Sequence, residues 1–225
     1  MARRAESRTF LSGDLMLEGR LDLPGEPGPV PGVVLCHPHP RYGGQMHDMV
    51  LDSLAAGLLE RGIATLRFNF RGVGASEGVY DGGAGEEDDA RAALATLSAE
   101  PAVDGQRLGL AGYSFGAGVA VGAAARASGI AALVLVACPP ARLDTPEARA
   151  LAVPKLLIAG GEDTMIPATQ LHRLAETLEE PKELIVVRGA DHFFGGFDQE
   201  LGAPAGRFFA RWLRPEPPGA EPPTE

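Results

Sequence analysis

The stretch RLGLAGYSFGAGVA at residues 107–120 decides how the rest of the chain is interpreted. It begins with an apolar run, passes through GYSFG at residues 112–116, and continues into an alanine- and glycine-rich segment with helical character. A strand, a sharp turn and a helix around G-x-S-x-G form a nucleophile elbow, in which a strained backbone exposes a serine hydroxyl. Because this context surrounds the pentapeptide, we predict that Ser114 is a nucleophile; in a chain with 30 glycines the pentapeptide alone would be weak support.

Short runs of valine, isoleucine and leucine recur along the chain and alternate with longer stretches of helical periodicity. This alternation predicts an α/β fold with a mostly parallel central sheet and helices on both faces. The predicted strands are residues 33–36, 63–70, 108–111, 132–137, 156–159 and 184–187. The predicted helices are residues 44–61, 86–98, 115–128, 168–179 and 199–213. Ahead of them, residues 8–23 alternate in polarity and predict an antiparallel hairpin at one edge of the sheet.

Length and charge set outer limits on the function. The 225 residues suit a single α/β domain at residues 1–214, followed by a disordered tail at residues 215–225 with five prolines and three glutamates. A net charge of −10 argues against a nucleic-acid partner. No apolar stretch approaches the roughly 18 residues that cross a bilayer, and the N-terminus lacks the core of a signal peptide. We therefore expect a cytoplasmic protein with no membrane partner.

Two later loops supply partners for Ser114. The loop GGEDTMIP at residues 160–167 carries Asp163, the favoured acid, with Glu162 as the alternative and a helix cap as the structural explanation of Asp163. The loop GADHFFGG after the last predicted strand carries His192. A serine hydroxyl must lose its proton as it attacks, an imidazole can take that proton, and a carboxylate fixes the tautomer of the imidazole. The order serine, acid, histidine predicts a triad of Ser114, Asp163 and His192.

An oxyanion intermediate also needs two backbone N–H donors. Phe115, directly after the nucleophile, is the predicted first donor. The second is expected from HPHPRYGG at residues 37–44, where the prolines have no amide hydrogen and His39 is favoured. The alternative function for this loop is a zinc site at His37, His39 and His47. No Asp, Glu or Cys nearby completes such a ligand set, so we predict no metal and no cofactor.

Four stretches carry a family resemblance: CHPHP with the glycine pair at 43–44, RFNFRGVGASEG at 67–78, GYSFG at 112–116, and GADHFF at 189–194. With them the chain resembles the small, lidless α/β-hydrolase family related to dienelactone hydrolases and bacterial carboxylesterases. The resemblance implies the α/β-hydrolase fold with little or no cap domain, and a serine carboxylesterase that cleaves short-chain esters through an acyl-enzyme. Dienelactone hydrolases use a cysteine nucleophile where this chain has Ser114, so dienelactone itself is not the expected substrate.

The short segment at residues 138–153 indicates what the site can accept. It leaves room for a loop or one short helix, whereas many lipases carry a helical cap at this point. We therefore expect an open, shallow site suited to a small-molecule ester. The predicted substrate contacts are Tyr42, Tyr113, Met165 and Phe193, although each could equally be ordinary packing.

Other functions remain compatible with the same residues. A thioesterase or an acyl-peptidase-like amidase would use the same triad, and a non-catalytic α/β-hydrolase fold could serve as a binding protein. A binding protein of this kind usually lacks a triad residue, and here all three types are present. Exposed edge strands could pair two copies into a homodimer.

Overall fold

An eight-stranded sheet lies at the centre of the computed structural model, which describes residues 3–214. The strand order is β1-β2-β4-β3-β5-β6-β7-β8. The strands are β1 Arg4–Ser12, β2 Leu15–Leu23, β3 Val30–Cys36, β4 Ala64–Phe68, β5 Val103–Tyr113, β6 Ile130–Val136, β7 Lys155–Gly160 and β8 Lys182–Val187. The hairpin β1–β2 is antiparallel and joins β4 in antiparallel register, while β3 to β8 pair in parallel. The predicted mostly parallel sheet is confirmed, and the hairpin lies at its edge as expected.

Seven α-helices pack around the sheet in the described part of the chain. They are α1 Met49–Leu59, α2 Ala84–Ser98, α3 Phe115–Arg126, α4 Pro140–Leu143, α5 Pro146–Arg149, α6 Ala168–Ala175 and α7 Asp198–Leu213. The chain moves from β3 outward to β4 and then back past β3 to β5, so right-handed crossovers place α1 and α2 on opposite faces. Helix α1 packs against α7, and α2 packs against α3.

Helix α1 starts later than its periodicity predicts. The prediction began at residue 44, but the helix begins at Met49, where the carboxylate of Asp48 accepts a hydrogen bond from the Val50 N–H at 2.9 Å. The preceding residues Pro40–Tyr42 form a single 3-10 turn that ends at Gly43 with φ of 84°. The loop after β3 is therefore longer than predicted.

The segment between β6 and β7 also differs from its prediction. It contains two helices of four residues each, α4 and α5, where one short helix at most was expected. Both helices start at a proline, which suits the first helical position because its missing N–H has no intrahelical partner there. Within the described residues, this segment adds no larger structure above the sheet.

The central strands bury long apolar runs. All seven residues of β3 and all six of β7 are buried, as expected for parallel strands covered on both faces. The carboxyl ends of β3 to β8 lie at one edge of the sheet, and the loops that follow these strands gather there. In residues 3–214, no helix combines the length and the apolar character needed to cross a membrane. The predicted tail at 215–225 lies outside the described residues.

Candidate active site

Ser114 occupies the turn between β5 and α3. Its backbone has φ of 53° and ψ of −117°, a strained conformation for a residue with a side chain. The flanking glycines explain why the turn is possible: a methyl group at Gly112 would collide with the carbonyl of Gly116, and one at Gly116 would collide with the carbonyl of Cys36. The Ser114 N–H donates to the carbonyl of Val136 at 2.8 Å, which ties the turn to β6.

His192 lies between Ser114 and Asp163. Its Nε2 is 3.1 Å from the Oγ of Ser114, and its Nδ1 is 2.7 Å from Oδ2 of Asp163. Because an ionised carboxylate only accepts hydrogen bonds, Nδ1 carries the proton and Nε2 is left to accept from the serine hydroxyl. The histidine and the aspartate are each 5% exposed. The structure thus brings the three predicted site residues together in the predicted order.

The two oxygens of Asp163 have different partners. Oδ1 accepts the N–H groups of Met165 and Ile166, both at 2.8 Å, while Oδ2 faces His192. The carboxylate therefore shapes its own loop and orients the imidazole at the same time. It is not the cap of α6, which begins at Ala168 with Pro167 before it.

Glu162, the alternative acid, is placed differently. Its side chain is exposed, and its peptide N–H donates to the carbonyl of Ala190 at 2.8 Å. Glu162 thus contributes a main-chain link between the loop after β7 and the loop after β8, and its carboxylate takes no part in that link. The carboxylate that meets His192 is that of Asp163.

Tyr113 does not lie at the rim where it was predicted. It is 3% exposed, and its hydroxyl donates to the main-chain carbonyl of His192 at 2.8 Å. Its ring centroid is 5.6 Å from that of His192. Burial raises the pKa of Tyr113 well above its usual value, so the phenol remains a donor. The prediction of a substrate contact is corrected. Tyr113 is buried because it belongs to a strand whose last residues are all buried, and there it contacts His192.

His37 joins two loops next to the site. It is fully buried, with Nδ1 2.7 Å from the carbonyl oxygen of Pro38 and Nε2 3.1 Å from the peptide nitrogen of Phe70. Since the Phe70 N–H is a donor, Nε2 accepts and Nδ1 carries the proton. Burial lowers the pKa of His37 to about 4, so the ring is neutral. Both ring nitrogens are thereby engaged.

His39 lies against the residue that follows the nucleophile, with its ring centroid 4.9 Å from that of Phe115. Across residues 3–214, the peptide N–H groups of His39 and Phe115 donate to no protein acceptor. Both ring nitrogens of His39 have partners, and His47 is exposed. Residues 3–214 contain no group of three or more His, Cys, Asp or Glu side chains that could hold a metal ion.

The other predicted substrate contacts lie in loops at this edge. Tyr42 follows β3, Met165 follows β7 and Phe193 follows β8, and all three side chains are exposed. Tyr80, in the loop after β4, is an additional aromatic residue that the sequence prediction missed. It lies in a glycine-rich loop with no periodicity, where the only signal is an aromatic residue without a place in any predicted element.

Comparisons with known proteins show what this chain is similar to. The sequence profile of the dienelactone hydrolase family matches residues 82–210, more than half of the chain, and that of the X-Pro dipeptidyl-peptidase (S15) family matches residues 13–145. An uncharacterized protein of Rickettsia prowazekii is 32% identical over 186 residues, which cover 79% of this chain and 77% of the relative.

Two solved structures are similar along nearly the whole length. A serine hydrolase without a lid from Xanthomonas campestris has a TM-score of 0.83 and 34% identity, and the match covers 95% of this chain and 97% of that one. An α/β serine hydrolase homologue from Coxiella burnetii has a TM-score of 0.80 and 34% identity over 90% of this chain and 96% of that one. The strained serine turn and the matching profile lead to one conclusion: the chain belongs to the dienelactone hydrolase family and is an α/β serine hydrolase without a lid.

Proposed function

We propose that the protein is a carboxylic ester hydrolase that works through an acyl-enzyme on Ser114. The observation that carries this proposal is the hydrogen-bonded chain from Ser114 Oγ through the imidazole of His192 to Asp163, with distances of 3.1 and 2.7 Å. This hydrogen-bonded arrangement supports the proposal because nucleophilic attack by a serine requires a base within reach of its hydroxyl and a carboxylate that orients the base.

The reaction begins when Ser114 Oγ bonds to the carbonyl carbon of the ester and its proton passes to Nε2 of His192. Asp163 stabilises the positive imidazolium that results. The tetrahedral intermediate then expels the alcohol, which takes the proton from His192. Water attacks the acyl-enzyme with His192 again as the base, and the carboxylic acid leaves as the serine recovers its proton.

The negative charge on the tetrahedral oxygen needs donors at the elbow. In this proposal the peptide N–H groups of Phe115 and His39 supply them, since neither is used within the described part of the protein and their side chains are in contact. Phe115 is the first residue of α3, so its N–H has no intrahelical acceptor.

The surroundings of the site favour short-chain esters. Only α4 and α5 lie between β6 and β7, so no cap encloses a long acyl chain. In this proposal the exposed side chains of Tyr42, Met165 and Phe193 contact the substrate. An open cleft of this kind buries little of a long alkyl chain, so we expect turnover to fall as the acyl chain lengthens.

The first test combines a fluorophosphonate probe with 4-nitrophenyl esters from acetyl to palmitoyl, using the wild-type protein and Ser114→Ala. We expect labelling and turnover in the wild type, neither in the variant, and a preference for short acyl chains. Labelling without ester turnover would leave Ser114 as the nucleophile and point to thioesters, lactones or amides as substrates. A folded wild-type protein that is neither labelled nor active would support the binding-protein alternative.

Amide cleavage is the second candidate, because the S15 peptidase profile matches residues 13–145. Thioesters and amides proceed through the same acyl-enzyme, but an amine is a poorer leaving group than an alcohol. Matched ester, thioester and anilide substrates with one acyl group would rank the three activities. Faster turnover of the anilide than of the ester would replace the esterase proposal.

A further inference from the structure

Four aromatic rings form a continuous cluster beside the nucleophile. His39 is at its centre, with its ring centroid 4.7 Å from that of Tyr42, 5.1 Å from that of Tyr80 and 4.9 Å from that of Phe115. The rings of Tyr80 and Phe115 are 5.7 Å apart. These separations lie in the range of attractive aromatic pairs. We call these four residues the aromatic wall.

The sheet topology fixes where the aromatic wall lies. Its residues come from the loops after β3 and β4 and from the start of α3, whereas Asp163 and His192 come from the loops after β7 and β8. In the strand order, β3 and β4 lie on one side of β5, and β7 and β8 lie on the other. The aromatic wall therefore borders Ser114 on the side away from the acid and the base.

The aromatic wall packs on the core through Phe115, whose ring centroid is 5.9 Å from that of the buried Phe70, but it keeps exposed surface. Tyr42 is 86% exposed, and the other three rings are half-buried. Aromatic rings that pack on one another yet keep exposed surface offer a flat apolar face to a ligand. A single exposed ring would be ordinary, but the exposed ring of Tyr42 belongs to a cluster of four beside Ser114.

The loop that carries Tyr80 is held by hydrogen bonds to a buried carboxylate. The carboxylate of Glu86 is fully buried and accepts the N–H of Asp81 at 2.8 Å and that of Gly83 at 2.7 Å. These two bonds fix the backbone on the C-terminal side of Tyr80. A surface held in place before binding loses little entropy when the ligand arrives.

The imidazole of His39 fixes the ring of Tyr80 from the other side. Nδ1 of His39 accepts the Arg41 N–H at 3.2 Å, so the neutral ring carries its proton on Nε2, 3.3 Å from the Tyr80 hydroxyl. Partial burial, with the charge of Arg41, lowers the pKa of His39, and partial burial raises the pKa of Tyr80. Both groups are neutral, and the wall presents aromatic surface without a charge of its own.

We infer that the aromatic wall is a subsite for a planar aromatic group of the substrate, so that the preferred esters carry an aryl ring close to the reacting carbonyl. This inference rests on the proposed esterase function and names its substrate class. The ring of the substrate would stack on Tyr42 and Tyr80, while Phe193 on the opposite side of Ser114 takes the other substituent of the ester.

The test uses pairs of esters with equal linkers and different rings. On the alcohol side these are 2-phenylethyl and 2-cyclohexylethyl acetate; on the acyl side they are methyl 3-phenylpropanoate and methyl 3-cyclohexylpropanoate. Ethyl acetate, which has no ring, reports the basic reaction. We expect kcat/KM to favour the phenyl ester by about two- to tenfold in at least one pair, the range that an aromatic contact adds beyond its buried area.

Variants then assign the preference to the wall. Tyr42→Leu and Tyr80→Leu keep apolar surface but remove the ring, and we expect either to bring the phenyl-to-cyclohexyl ratio close to one. Tyr42→Phe keeps the ring and is the matched control, which retains the ratio. Since Tyr42 is almost fully exposed, its leucine variant keeps the fold even if Tyr80→Leu does not. Phe193→Leu, on the opposite side, also keeps the ratio.

Each outcome is decisive. A ratio near one in both wild-type pairs, with ethyl acetate still hydrolysed, overturns the aromatic subsite and leaves the esterase proposal standing. A ratio that is lost in Phe193→Leu but kept in both tyrosine-to-leucine variants moves the subsite away from the wall and also overturns it. No hydrolysis of any ester, together with no probe labelling of Ser114, overturns the proposed function and the subsite together.

Discussion

Two buried histidines at the same edge of the sheet have opposite surroundings. His192 lies between a carboxylate and a serine hydroxyl, while His37 lies between the carbonyl of Pro38 and the N–H of Phe70. They are 5% and 0% exposed, so burial does not distinguish them. Both rings carry the proton on Nδ1 and accept at Nε2.

Their partners determine what a second proton would do. A proton on Nε2 of His192 places a positive ring beside the negative Asp163, which stabilises it. A proton on Nε2 of His37 would remove the bond from the Phe70 N–H and leave a buried charge with only neutral main-chain groups at hydrogen-bond distance. The same side chain is therefore suited to move protons at one position and to hold loops together at the other.

The largest expected effect is a difference in turnover between two variants, in which glutamine replaces either His192 or His37. We expect His192→Gln to lower kcat/KM for 4-nitrophenyl acetate by about 10⁴- to 10⁶-fold, because no base remains for Ser114. His37→Gln can still donate to one main-chain group and accept from the other, so most of the turnover is retained. Thermal unfolding of both variants checks that they fold. Comparable losses in the two variants would contradict the contrast between the histidines.

The next largest effect concerns the partner that makes His192 different. In Asp163→Asn, the amide can donate to Nδ1 and favour the tautomer with the proton on Nε2, which no longer accepts from Ser114. We expect kcat to fall by about 10⁴-fold. Glu162→Gln is the matched control, and its exposed side chain predicts nearly wild-type rates. A severe loss at Glu162 with a mild one at Asp163 would reassign the acid.

Much of this site could be predicted because its residues follow strands in a fixed order. The sequence predicts Ser114 from a local motif, in which Gly112 is required by the nearby carbonyl of Gly116, whereas Gly116 is required by the carbonyl of Cys36 at the end of β3. The sequence predicts that Asp163 and His192 lie near Ser114 because the carboxyl ends of parallel strands meet at one edge, and the structure brings the three side chains together. Their hydrogen bonds, however, span residues far apart in sequence and needed the structure.

Each difference between prediction and structure has its own physical cause. The sequence predicts Tyr113 at the rim because it neighbours Ser114, but the elbow turns the chain sharply and leaves Tyr113 buried in the strand. The start of α1 was placed at residue 44 because apolar periodicity extends beyond the cap that Asp48 provides. Tyr80 was missed because its place depends on Glu86 and His39, which reach it through tertiary contacts that no local pattern encodes.

The contrast between the histidines also predicts how stability depends on pH. Burial lowers the folded-state pKa of His37 to about 4 from an ordinary 6.5. Between these values the unfolded chain binds a proton that the folded protein does not, so His37 makes the free energy of unfolding decrease as the pH falls through this window. Above pH 6.5 its contribution is fully present.

The size of this effect follows from the shift in pKa and is at most about 3 kcal/mol. Glutamine does not titrate, so His37→Gln lacks this part of the pH dependence. Urea unfolding from about pH 7 to about pH 4.5 gives the free energy of unfolding of the wild type and of the variant, and we compare how steeply each decreases as the pH falls. Parallel curves would show that His37 is not held neutral by burial.

The smallest effect tests how the main chain of His192 is held. The hydroxyl of Tyr113 donates to the His192 carbonyl, and Tyr113→Phe removes that bond while keeping the ring beneath the imidazole. A buried neutral hydrogen bond is worth about 1 kcal/mol, so we expect unfolding to become easier by about that amount and kcat to fall a few-fold with little change in KM. We expect the effect in kcat and not in KM because Tyr113 is buried and contacts His192, so it has no surface on which a substrate could bind. If KM rose while kcat stayed constant, Tyr113 would act on substrate binding. The position of His192 would then not depend on the hydroxyl of Tyr113, and the contrast with His37, which main-chain groups hold, would lose its side-chain half.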